Sequence, residues 1–160
     1  MGKVVLKTVQ DARCLDSILS GTYKPDFGMS FGSFDELCTE SYRYVLDVLS
    51  KKTNKLYEFG KDTCIWSWYW NPFFKNHITC KNIGVDLVVI TFEIDEEDVV
   101  FLDFDIWCDK IIDGYDVNPI VNIHNVDKDS CIQAVSWGIP VDGVLDVKPF
   151  NEYLKELYNE

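Results

Sequence analysis

Strict alternation of side-chain character is clearest in Ile65-Trp66-Ser67-Trp68-Tyr69-Trp70. Extended backbone sends successive side chains to opposite faces, so this segment predicts a strand with Trp66, Trp68 and Trp70 on one side. Ile65, Ser67 and Tyr69 then share the other. Such an indole wall either fills a core, the ordinary fate of clustered aromatics, or receives a flat ligand. Runs rich in β-branched residues predict further strands over 4–9, 86–94, 99–102, 131–137 and 144–148. Within them, Leu87-Val88-Val89-Ile90 reads as buried on both faces.

A helical period takes over elsewhere. Cys14, Leu15, Ile18 and Leu19 follow a capping Asp11 and stop at Gly21. Cys38, Tyr42, Val45, Leu46 and Leu49 form one stripe behind a capping box, Ser33-Phe34-Asp35-Glu36, and Lys51 and Lys52 suit the negative end of that helix. Phe104, Trp107, Cys108 and Ile111 predict a third helix, capped by Asp103 or Asp105 and closed by Gly114. Pro149 fits the first turn of a terminal helix carrying Phe150, Tyr153, Leu154 and Leu157. Residues 22–32, 80–84 and 116–129 read as connections, 95–98 as an acidic turn, and Asn71-Pro72 as a strand stop. Strands and helices do not alternate regularly, which predicts an α+β fold rather than a parallel α/β sheet.

The 160 residues suit one domain, 1–160, with enough apolar content to build a core without staples. No apolar run has the length of a membrane span and no secretory signal pattern opens the chain, so a cytoplasmic location away from membranes is expected. Six cysteines, at 14, 38, 64, 80, 108 and 131, lack a Cys-x-x-Cys pair and read as buried free thiols. The net charge of −12 opposes sequence-independent nucleic-acid binding. It also fits a face for a basic protein partner.

Phosphate-loop, dinucleotide-fingerprint, zincin and nucleophile-elbow patterns are all missing from the sequence. His77 and His124 have no second ligand at metal spacing, and Asp127-Lys128-Asp129 lacks the Gly and Glu of a calcium loop. Asp103 and Asp105 are a carboxylate pair that helix capping accounts for in part. No metal site is expected.

Two elements carry a resemblance. The aromatic strand, with Val88-Val89-Ile90-Thr91-Phe92-Glu93-Ile94 leading through Val99 to Trp107, resembles a family of small bacterial proteins known as a domain of unknown function. Thr8-Val9-Gln10 and Ile132-Gln133-Ala134-Val135-Ser136-Trp137 match its opening and closing elements. More distantly, a strand, a helix ending Ile18-Leu19-Ser20-Gly21, the aromatic strand, an acidic turn and a late strand closing on Ile139-Pro140 look like the ADP-ribosyltransferase architecture. That resemblance implies a split, mixed β-sheet flanked by short helices and a cleft for NAD, as ligand or substrate, with no further cofactor required. It implies Gln133 and Tyr69 in the catalytic positions and Thr8, Gln10, Ser67 and Trp68 against the nucleotide. Gln133 stands where the family has a catalytic Glu, and a neutral amide withholds the charge that stabilises an oxocarbenium-like state. The expectation is therefore recognition of an NAD-like nucleotide, with ADP-ribosyl transfer or NAD cleavage as the associated chemistry. The alternative is a non-catalytic acidic interaction protein of inhibitor or immunity type.

Overall fold

The computed structural model describes residues 2–25, 36–70, 86–112, 114 and 116–158. The expected capping residues Ser33, Phe34 and Asp35, the Asn71-Pro72 stop, His77 and the 80–84 connection lie outside them. The strands are β1 (Lys3–Asp11), β2 (Ile65–Trp70), β3 (Leu87–Asp95), β4 (Val100–Asp103), β5 (Ile120–Val121), β6 (Ile132–Ser136) and β7 (Val144–Pro149). Among the described residues the α-helices are α1 (Leu15–Ser20), α2 (Glu36–Thr53), α3 (Phe104–Ile112) and α4 (Phe150–Tyr158).

The fold is α+β. Among the described residues its strands form one seven-stranded sheet in the order β5-β4-β6-β2-β1-β3-β7. Every neighbouring pair runs antiparallel, which corrects the expected mixed sheet. The reason lies in the order: β1 receives β2 along one edge and β3 along the other, and both run against it. No parallel neighbour remains to need a crossover.

Both faces of the sheet are covered, which is why so many strand residues are apolar on successive positions. On one face Val4 and Leu6 of β1 meet Phe92 and Ile94 of β3, and Ile132 and Ala134 of β6 join them beneath Ile18 of α1. On the other, Val100, Leu102 and Val135 lie under Val45, Leu46 and Leu49 of α2 and Trp107 of α3. Val89 turns to this second side and packs with Phe150 and Tyr153 of α4. The alternation of Val88 and Val89 between the two cores is what the unbroken run 87–90 predicted.

Local chemistry sets the boundaries. Asp11 accepts from the Arg13 amide and starts the short turn before α1, and Gly21 ends α1 in the left-handed region at φ 79°. Leu19 departs from the expected stripe and is 43% exposed, leaving Ile18 as the buried residue of α1. Asp103 caps α3, its Oδ1 accepting from the amides of Asp105 (3.0 Å) and Ile106 (3.1 Å). Residues 116–129 are not wholly a connection, because Ile120 and Val121 form β5 against Leu102 and Phe101. Pro149 closes β7 rather than opening α4, at the sheet edge where a missing amide is tolerated.

Candidate functional site

Register decides where the expected site residues go. Trp68 and Gln133 are direct partners between β2 and β6, so their side chains share a face. Ser67 pairs with Ala134 on the opposite face, and Tyr69 packs edge-on to Phe101 there at 5.2 Å between ring centroids. Thr8 and Gln10 belong to that same opposite face. The sheet therefore stands between Gln133 and Trp68 on one side and Thr8, Gln10, Ser67 and Tyr69 on the other. The six residues do not line one cleft.

Each group has its own surroundings. Thr8 is fully buried and its Oγ1 donates to the Trp66 carbonyl at 2.8 Å. The same oxygen accepts from Gln10 Nε2 at 2.9 Å, and Gln10 Oε1 accepts from the Tyr23 hydroxyl at 3.4 Å. This relay ties β2 and the segment after α1 to β1, so it serves the core. Across the sheet, Trp66 meets Tyr42 at 5.5 Å and Trp107 at 5.3 Å, and Trp68 meets Phe104 at 5.1 Å. These two indoles of the aromatic strand pack against helices. Gln133 Oε1 and Ser67 Oγ are buried with no hydrogen-bond partner among the described residues.

A cleft lies elsewhere, past the end of β6. It has a volume of about 400 Å³. Ile94, Trp137 and Ile139 form its apolar floor, and Thr53, Lys55 and Asp98 its polar rim. Trp137 is held by its Nε1, which donates to Thr53 Oγ1 at 2.9 Å. The Lys55 ammonium lies 5.0 Å from the Trp137 ring centroid, within cation–π range. Tyr57 packs against the same indole at 5.6 Å.

The frame around this cleft is rigid for identifiable reasons. After α2, Asn54 takes the left-handed conformation at φ 53°, and the Lys55 amide returns to the Ser50 carbonyl at 3.1 Å. Lys52 reaches from α2 to the acidic turn after β3 and donates to the carbonyls of Glu96 (3.2 Å) and Val99 (2.5 Å). Burial lowers the Lys52 pKa, while Glu96, Asp98 and Glu97 oppose that shift. Glu96 also pairs with His124 at 2.7 Å. Asp95, Glu97 and Asp98 stay exposed, and of these Asp98 lines the cleft.

A smaller depression of about 240 Å³ lies between β3, β7 and α4. Its cations are already engaged: Lys7 donates to Thr91 at 3.3 Å, and Lys148 pairs with Glu156 at 2.8 Å. Among the described residues no group of three or more His, Cys, Asp or Glu side chains is placed to hold a metal. Burial pushes the Cys64 thiol up to about 12, and raises Cys108 and Cys131 with help from Asp105. Such thiols are poor nucleophiles near neutral pH.

Sequence reasoning did not assign Trp137, Thr53, Lys55 or Asp98 to a site. A Trp directly after a strand and before Gly138-Ile139-Pro140 was the available signal, because a strand end followed by a turn carries its last aromatic out to the sheet margin. The partners on the rim come from α2 and the acidic turn, far away in the chain. No helix among the described residues is long and apolar enough to cross a membrane. Comparison of the chain with protein-family profiles, curated proteins and solved structures finds no significant match.

Proposed function

We propose that this chain is a non-catalytic acidic interaction protein that recognises a basic protein partner at the cleft beside Trp137. The observation that carries this reading is the meeting of the Trp137 indole with the exposed Asp98 carboxylate in one cleft, on a chain of net charge −12. An aromatic platform supplies contact area at low entropic cost, and the surrounding acidic field speeds encounter with a cationic partner. The nucleotide reading draws less support, because its residues are divided between the two faces of the sheet and a phosphate would meet a repulsive field.

Calorimetric titration with a short arginine- and lysine-containing peptide, run beside NAD and ADP-ribose, tests the reading. The peptide is expected to bind, with affinity falling as salt rises, and the nucleotides are expected to give no heat. Saturable nucleotide binding without peptide binding would reverse the preference.

A further inference from the structure

We infer that the Trp137 cleft is a pocket for an arginine side chain, with Lys55 as the internal cation that the incoming guanidinium displaces. This rests on the basic-partner reading and gives it a specific contact. The Lys55 ammonium, on an exposed residue, already sits over the indole at 5.0 Å, so the ring face is one that a cation occupies in this fold. Trp137 cannot easily turn away, since its Nε1 is bonded to Thr53 and Tyr57 packs on it.

Arginine fits this site better than lysine does. A guanidinium is planar, sheds water more readily than an ammonium, and stacks flat on an indole while its edge still donates hydrogen bonds. Asp98 supplies the acceptor on the rim: its carboxylate is exposed, lines the cleft, and interacts with Lys52 through charge without a hydrogen bond between them. The floor of Ile94 and Ile139 suits the aliphatic stem of the side chain. Gly138 leaves the wall open, because a Cβ built there meets nothing within 4 Å.

Two probes and three variants test the pocket: acetyl-Gly-Arg-Gly-Arg-Gly amide and its lysine counterpart, against Lys55→Ala, Asp98→Asn and Lys155→Ala. Lys155 is an exposed lysine of α4 outside the cleft, so its variant changes net charge equally. Circular dichroism checks that each variant is folded. Lys55→Ala is expected to bind the arginine peptide about threefold more tightly than Lys155→Ala, and Asp98→Asn about tenfold more weakly than wild type. The lysine peptide is expected to bind wild type more weakly than the arginine peptide does. If the arginine peptide binds but Lys55→Ala matches Lys155→Ala and Asp98→Asn matches wild type, the pocket is wrong and the basic-partner reading stands. Equal affinity for the two peptides overturns the arginine preference. If neither peptide binds wild type at about 1 mM and low salt, the basic-partner reading itself fails.

Discussion

The indole nitrogen of Trp137 donates to the hydroxyl of Thr53 at 2.9 Å, joining the end of β6 to the end of α2 across 84 positions of chain. The same hydroxyl donates to the Leu49 carbonyl at 2.7 Å, so both of its roles are used. Thr53→Val keeps the shape and removes the acceptor. It is expected to cost about 1–3 kcal/mol, the usual penalty for a stranded donor, and to lower the urea midpoint. Thr53→Ser should retain most of the stability. An unchanged midpoint in the Val variant would mean that the indole finds water instead.

Leu46 lies at the centre of the α2 stripe and is fully buried with Val45 and Leu49 against β4 and β6. Leu46→Ala removes that packing and leaves a void. The expected loss is roughly 2–5 kcal/mol by denaturant titration. A loss below about 1 kcal/mol would show that the helix and sheet close up over the missing atoms.

Gln133 gives the opposite expectation. Its Oε1 is buried beside Trp68 without a hydrogen-bond partner among the described residues, so that oxygen brings a desolvation cost and no compensating bond. Gln133→Met, of similar length and flexibility, is expected to leave the melting temperature unchanged or raise it. A clear fall would reveal a partner for the amide and restore interest in it as a functional group.

Asp62 links stability to acid. Its carboxylate accepts from the Glu58 amide at 2.9 Å and pairs with Lys24 at 3.3 Å, and these contacts hold its pKa below the ordinary 3.8. A pKa depressed by folding contributes stability above the unfolded value and loses it as pH falls through the folded one. Wild type should therefore exceed Asp62→Asn in urea midpoint at about pH 7, with the gap closing below about pH 3. A gap that stays constant across this range would assign the difference to geometry rather than charge.

Much of the fold was legible because it is written in local periods. The alternation of residues 65–70 sorted Trp66 and Trp68 from Ser67 and Tyr69, and the structure puts those pairs on opposite faces. The stripe Val45, Leu46, Leu49 is equally local, and local chemistry narrows the cap of α3 to Asp103 or Asp105, of which the structure uses Asp103. The face taken by Gln133 was not, since Ile132, Ala134, Val135 and Ser136 are all buried and a strand covered on both sides has no polar face to mark its orientation. Only pairing with Trp68 fixes it, and that depends on the non-local order β4-β6-β2-β1. The relay through Thr8 and Gln10 is equally non-local, because it depends on Tyr23 and the Trp66 carbonyl, whereas the resemblance implies ligand contacts for both residues. The Trp137 cleft depends on three segments meeting, which no single period announces.

The most direct measurement follows the indole N–H signals of the five tryptophans in a ¹H–¹⁵N correlation spectrum, with Trp137 and Trp68 assigned through their Phe variants. A basic partner at the cleft should shift the Trp137 signal when a cationic peptide is added and leave those of the packed Trp66 and Trp107 in place. ADP-ribose should move none of them. Movement of the Trp68 signal on adding ADP-ribose, with Trp137 unmoved by the peptide, would contradict the account and favour a nucleotide site on the helical face of the sheet.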